Sequence, residues 1–165
     1  MPDFEKEPES KVRIRFPDCD PFRHLNNSRY IDYMINARED QLMEYYGFDP
    51  YRLAREQGLG WVAAQTQIAY LAPALPLELV TVKTRLLSAS DKSLLLEAQM
   101  LNEENTVLKS VLWTRLVHFN IRSGKSEAHA PELQEFLRSI EAPPEKPMSF
   151  EERVSYLRSS QNQPV

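Results

Sequence analysis

The residue types best suited to chemistry stand close together near the start of the chain. Two carboxylates, Asp18 and Asp20, and an imidazole, His24, precede three polar residues at positions 26–28. Asparagine and serine are good helix N-caps, because their side chains accept backbone N–H bonds that a first helical turn leaves unmade. A carboxylate shortly before the free N–H groups of a helix start is suited to reaction at a carbonyl carbon.

The segment after these polar residues is the long, strongly helical stretch of the chain. Its pattern predicts a helix over about residues 28–46, and Gly47 suits the position just after a helix end. Apolar residues cover more than half of the circumference, which predicts that other structure surrounds most of the helix. One stripe of the predicted helix carries Ile31, Ile35, Arg38, Leu42 and Tyr45, with Tyr30, Met34 and Ala37 beside it.

Strand patterns stand on both sides of this helix. Alternation over residues 11–16 predicts a strand with Val12, Ile14 and Phe16 on its buried face. After a short helix at 50–57, strands are predicted at 61–71, 77–88, 93–101 and 106–119, and a last helix at 131–140. Sequential strands joined by hairpins make an antiparallel sheet, and one apolar helix packed on it gives an α+β fold.

The bulk composition limits the class of protein. The chain has 165 residues, of which 42% are apolar and 27% charged, and this predicts a globular protein. We expect an N-terminal arm at 1–10, a single domain at 11–140 and a polar, proline-containing tail at 141–165, with a helical turn near 150–157. A net charge of −4 argues against nucleic acid as the main partner.

Several features argue against other sites and compartments. No apolar run approaches the ~20 residues of a membrane span, and the first residues lack the order of a signal peptide. The single cysteine, Cys19, excludes an internal disulfide, so a cytoplasmic location is expected. His118 and His129 have no metal-ligand spacing with His24, and we predict no metal site.

The motif D-C-D-P-x-x-H-L-N-N-S-R-Y-I, residues 18–31, resembles the hotdog acyl thioesterases. Its Asp-Cys-Asp-Pro part is similar to 4-hydroxybenzoyl-CoA thioesterase-like proteins, and its His-Leu-Asn-Asn part to the acyl-carrier-protein thioesterases of plants and bacteria. Weaker agreement extends over roughly residues 11–140. The resemblance implies a curled antiparallel sheet wrapped around one central helix, a homodimer or a dimer of dimers, and hydrolysis of an acyl-CoA or acyl-carrier-protein thioester. It implies no cofactor beyond the CoA or phosphopantetheine of the substrate.

The resemblance also implies roles for individual residues. Asp20 corresponds to the nucleophile or general base, and the backbone amide of Asn27 to the group that polarises the thioester carbonyl. His24 matches a catalytic histidine of the carrier-protein branch, although Phe22 stands where that branch has its partner asparagine. Asp18 is expected to be structural.

The substrate would lie beside the helix and across a dimer interface. Tyr30 and Met34 are expected to contact the acyl chain, and Gln65 or Thr66 to reach the thioester from a second subunit. Two other functions stay open, a hotdog hydratase or dehydratase and a non-catalytic acyl-thioester-binding protein. Against the hydratase, its motif places His five residues after Asp, whereas here His24 follows Asp20 by four.

Overall fold

The computed structural model describes residues 2–161, so Met1 of the predicted arm and residues 162–165 of the predicted tail lie outside the described part. Within it the chain forms a six-stranded sheet and four α-helices. The strands are β1 (Glu9–Arg13), β2 (Leu59–Tyr70), β3 (Leu79–Ala89), β4 (Ser93–Asn102), β5 (Leu108–Asn120) and β6 (Lys125–Ser126). The helices are α1 (Tyr30–Tyr46), α2 (Pro50–Gln57), α3 (Pro131–Ile140) and α4 (Phe150–Ser160).

The sheet is antiparallel throughout, with strand order β1-β3-β4-β5-β2 and the short β6 paired with β5. The predicted curled antiparallel sheet with one long helix is confirmed. The prediction that all successive strands form hairpins is wrong, because β2 pairs with β5 rather than with β3. Residues 71–78 carry the chain across the sheet, and Pro73 and Pro76 within them lack the N–H donors that a continued ladder needs.

The first strand is placed two to three residues earlier than the pattern predicts. It ends at Arg13, and Phe16 lies in a 3-10 turn with 76% of its surface exposed. The expectation that Phe16 faces the core is therefore wrong. Pro17 occupies the start of that turn, where its missing N–H is tolerated.

Helix α1 packs against the concave face of the sheet through Arg38 of the predicted stripe, the three residues predicted beside it and one polar residue outside both sets. Its buried residues are Tyr30, Met34, Ala37, Arg38 and Gln41, whereas Ile31 and Tyr45 of the predicted stripe are 36% and 40% exposed. The polar residue Gln41 is buried because its side-chain amide donates to Ser10 and to the carbonyl of Val82. Gly47 ends the helix in the left-handed conformation, as predicted.

The convex face of the sheet is covered by the C-terminal segment. Here the predicted tail forms the eleven-residue helix α4, which begins with a capping box between Ser149 and Glu152. Apolar residues of α4 pack on apolar residues of the sheet. The contacting set is Phe150, Val154 and Leu157 on the helix, with Leu101, Val111 and Trp113 on the strands.

Candidate active site

A cavity of about 210 Å³ lies between the loop before α1 and the end of β2. Four of the residues selected from the sequence line it together, namely Asp20, His24, Asn27 and Tyr30. The opposite wall is formed by residues 70–73, at the point where β2 ends. The site thus combines two segments that are distant in sequence, the loop before α1 and the end of β2.

The loop holds the Asp20 carboxylate by backbone hydrogen bonds. Its Oδ1 atom accepts from the amide of Phe22 at 2.9 Å and from the amide of His24 at 3.2 Å. The backbone closes the same turn, since the amide of Asp20 donates to the carbonyl of His24 at 2.8 Å. These bonds use one carboxylate oxygen and leave Oδ2 without a hydrogen bond from residues 2–161, so that oxygen is available to a ligand.

A 3-10 turn, Asn27–Arg29, begins the helical segment. Asn26 caps this turn, because its side-chain oxygen accepts from the amide of Ser28 at 3.0 Å. The amide of Asn27 is the first of the turn, where no intrahelical acceptor exists, and no described residue accepts from it. The Asn27 amide is therefore a free donor, and Asn27 lines the same cavity as Asp20.

Tyr70 is a site residue that the sequence did not single out. Its hydroxyl donates to the carbonyl of Asn27 at 2.9 Å, which fixes the first turn to the end of β2. The ring of Tyr70 stands edge-on to that of Tyr30, with 5.2 Å between their centroids. Residues 70–74 belong to the stretch over which the sequence agrees with the resembled family. That agreement could have pointed to Tyr70, but the residue pattern assigned it no role.

Tyr30 forms the floor of the cavity. It is 2% exposed, and its hydroxyl oxygen accepts from the amide of Ala74 at 3.1 Å. Burial raises the pKa of Tyr30, so the phenol stays protonated at neutral pH.

The second acid of the motif, Asp18, faces a different groove. Its Oδ2 atom accepts from the hydroxyl of Tyr33 at 2.6 Å, and its Oδ1 atom lies 3.8 Å from Nε of Arg29. Asp18 thus contacts Tyr33 and Arg29 and does not line the cavity, and the structural role expected for it stays a prediction. Burial, and then the charges of Asp18 and Asp20, raise the pKa of the intervening Cys19 thiol, which argues against a thiolate nucleophile.

Three other predicted site residues do not line this cavity within one chain. Met34 is fully buried in the main core, and Gln65 and Thr66 are exposed on β2. The Thr66 hydroxyl lies 2.9 Å from that of Thr114, a residue that is only 3% exposed. Because side chains alternate along a strand, Gln65 points to the opposite face.

Residues 2–161 contain neither a membrane-spanning helix nor a cluster suited to a metal ion. No helix in this part of the chain combines the length and apolarity needed to cross a membrane. Among the same residues, no group of three or more histidine, cysteine or acidic side chains is placed to hold a metal ion.

A curled antiparallel sheet around one long helix is the arrangement of the hotdog fold. The sequence model of the thioesterase-like superfamily matches residues 14–152. The chain therefore belongs to the thioesterase-like superfamily.

Individual relatives agree with this family. The chain is 26% identical over 133 residues to the long-chain acyl-CoA thioesterase FadM of Escherichia coli K12, covering 80% of this chain and 98% of that protein. Among solved structures, a thioesterase-superfamily protein from Jannaschia sp. CCS1 superposes with a TM-score of 0.75 at 17% identity, covering 86% of this chain and 98% of that one. A DHNA-CoA thioesterase of Staphylococcus aureus superposes with a TM-score of 0.72 at 15% identity, covering 96% and 97%. At these identities the structural likeness concerns the fold.

Proposed function

We propose that this protein hydrolyses an acyl-CoA thioester to a free carboxylic acid and CoA. The observation that carries the proposal is that Asp20, whose carboxylate has a free oxygen, and Asn27, whose amide is a free donor, line one cavity. A thioester carbonyl in that cavity would accept from the Asn27 amide while its carbon faces the unbonded oxygen of Asp20. His24, in the same cavity, would bind the substrate or share a proton with Asp20.

Two routes of hydrolysis fit this arrangement. In the first, a carboxylate oxygen of Asp20 attacks the carbonyl carbon, the C–S bond breaks, and the thiolate leaves with a proton from water. The resulting mixed anhydride is then opened by a second water molecule, which returns Asp20 to its carboxylate form. In the second, Asp20 removes a proton from a water molecule that attacks the same carbon, the C–S bond breaks, and the proton passes from Asp20 to the leaving thiolate. The Asn27 amide would stabilise the oxyanion in both.

CoA is the proposed thiol because the named relatives support it. The Escherichia coli relative is named as a long-chain acyl-CoA thioesterase, and the Staphylococcus aureus structure as a DHNA-CoA thioesterase. An acyl chain would run from the cavity along α1, beside Tyr30 towards Met34. A carrier-protein thioester is the alternative substrate.

We further propose that the active form is a homodimer paired along β2. This strand lies at the end of the sheet, and no strand among residues 2–161 pairs with its outer edge. Residues 62–67 are all exposed, including Val62 at 48%. An exposed strand edge of this length favours pairing with a second copy. Thr66 lies on the same face of the sheet as α1, whereas Gln65 lies on the opposite face. Thr66 is therefore the better candidate of these two for contact with a substrate.

The test is thiol release from a panel of acyl-CoA and acyl-carrier-protein thioesters by the wild type and Asp20→Asn. We expect Asp20→Asn to lower kcat by about 10²–10⁴-fold, as for the loss of a general base or nucleophile. The control is Asp32→Asn, a change of an exposed carboxylate on α1 that pairs with Arg29 outside the cavity. It should keep normal turnover.

Other outcomes of this test would reject the proposal. Near-normal thiol release by a folded Asp20→Asn protein would remove Asp20 from the chemistry. Loss of a substrate double bond without thiol release would indicate a hydratase, and binding without either reaction a non-catalytic protein.

A further inference from the structure

A second cavity lies towards the other end of α1, between that helix, the sheet and α3. Its volume is about 90 Å³, about three times the ~30 Å³ that a water molecule occupies in the liquid. Eleven of its twelve lining residues have apolar side chains, and the twelfth is Arg38. The sheet contributes four leucines to the wall, Leu86, Leu94, Leu96 and Leu116. A cationic side chain thus lines an otherwise apolar chamber.

Arg38 is buried without an anionic partner. It is 7% exposed, and its Nη1 group donates to the hydroxyl of Thr84 at 2.9 Å. A guanidinium has five N–H donors in a planar fork, and the two side chains that hydrogen-bond to this one, Thr84 and Tyr46, are both neutral. No carboxylate of residues 2–161 forms an ion pair with it.

The groups around Arg38 are neutral. The Thr84 hydroxyl donates a hydrogen bond to the side-chain oxygen of Gln41 at 2.5 Å, and the ring of Tyr46 lies 5.8 Å from the guanidinium carbon. Burial lowers the pKa of Arg38, and Tyr46 acts in the opposite sense. A buried cation without an anion is costly, and a ligand that supplies the anion would remove that cost.

The second cavity is separate from the catalytic one. The two share no lining residue, and Arg38 follows Tyr30 by eight residues, or ~12 Å along the helix axis. Met34 lies one turn before Arg38, is fully buried and packs in the main core between them. A ligand confined to the second cavity therefore occupies a different space from the catalytic cavity.

We propose that this cavity binds a short aliphatic carboxylate, whose carboxyl group pairs with Arg38 and whose hydrocarbon body lies among the leucines. A carboxylate matches the fork of the guanidinium with two parallel hydrogen bonds. The outer wall is made by Phe48 and Phe136, which are partly exposed and stack with 5.9 Å between ring centroids. A ligand would enter by displacing these two rings. The inference does not depend on the proposed thioesterase activity.

The experiment is a calorimetric titration of the purified full-length protein with butyrate, with 1-butanol as the uncharged comparison. We expect saturable binding of butyrate and at least tenfold weaker binding of 1-butanol. Arg38→Met should weaken butyrate binding at least tenfold, and Arg38→Lys should weaken it less. A crystal grown with 4-bromobutyrate should show the bromine's anomalous signal in the leucine-lined cavity.

The variants also separate a ligand role from a structural one. An unpaired buried cation predicts that Arg38→Met melts at the same temperature as the wild type or higher, without ligand. Leu96→Phe fills the cavity and keeps Arg38, and it should abolish butyrate binding. This variant tests the proposal if Arg38→Met does not fold. The proposal is overturned if butyrate does not bind to the wild type or binds no more tightly than 1-butanol. It is also overturned if butyrate binds equally well to Leu96→Phe. A bromine signal found only in the catalytic cavity overturns it as well.

Discussion

Arg153 of α4 and Glu97 of β4 form a doubly hydrogen-bonded ion pair beneath the C-terminal helix. Nε donates to Oε2 at 2.8 Å and Nη2 to Oε1 at 2.9 Å, and the two residues are 3% and 0% exposed. The indole N–H of Trp113 and the amide of Gln99 donate to the same carboxylate, each at 2.8 Å. Burial by itself would raise the pKa of Glu97, but Arg153 and these donors lower it, so the carboxylate stays charged.

This pair leads to a prediction about stability. Arg153→Met removes the doubly hydrogen-bonded partner of a buried carboxylate and leaves it only Arg85, whose Nε lies 3.7 Å from Oε1 of Glu97. The free energy of unfolding should therefore fall by up to about 3–5 kcal/mol. The double variant Glu97→Leu/Arg153→Met removes both charges and should lose much less. Urea denaturation followed by circular dichroism measures both.

The control for that experiment is an exposed pair of similar chemistry. Arg52 and Glu56 lie one helical turn apart on α2 and are both well exposed, so Arg52→Met should leave the urea midpoint almost unchanged. If Arg153→Met were as harmless as Arg52→Met, α4 would not be anchored by this pair.

A second prediction concerns the free amide of Asn27. Asn27→Pro removes this N–H at the first position of a helical turn, where proline is well tolerated. The preceding residue, Asn26, has φ −60° and ψ 134°, the extended conformation that a following proline requires. We expect kcat for thioester hydrolysis to fall by about 10²–10³-fold with the fold retained.

The matched control is Asn27→Ala, which keeps the amide and changes the side chain. Steady-state kinetics should show near-normal kcat for this variant. Equal losses in both variants would assign the effect to the side chain or to the turn, and would argue against an oxyanion role for the amide.

A third prediction concerns pH and His129. His129 is 2% exposed. Its Nε2 atom accepts from the indole N–H of Trp61 at 3.1 Å, and its Nδ1 atom lies 3.0 Å from the carbonyl oxygen of Ser90. Burial, and then the neighbouring His118, lower the pKa of His129. The unfolded chain then binds a proton at a higher pH than the folded chain does. Stability should therefore fall as the pH drops below ~6.5, the ordinary pKa of histidine.

Thermal denaturation between pH 7.5 and 5.5 measures this effect, compared with His129→Gln. The wild type should lose melting temperature towards pH 5.5, and the variant should lose less over the same interval, because it cannot take up that proton. Parallel curves for the two proteins would show that His129 does not govern the acid sensitivity.

The sequence by itself determined the local half of the candidate site. Asp20, His24 and Asn27 lie within eight residues, and the bonds that fix them join positions two to four apart, such as Asp20 to the amide of Phe22. Turn and capping chemistry of this range can be read from neighbouring residue types. The same holds for the end of α1 at Gly47.

Only the tertiary structure decided the other half. Tyr70 reaches the carbonyl of Asn27 across 43 positions, and Arg153 reaches Glu97 across 56. The place of β2 at the end of the sheet, and the burial of Gln41 and Arg38 on α1, also depend on distant partners. Periodicity records which residues are apolar, but a polar side chain is buried wherever a remote partner satisfies its hydrogen bonds. That information lies in the packing of the chain and not in its local pattern.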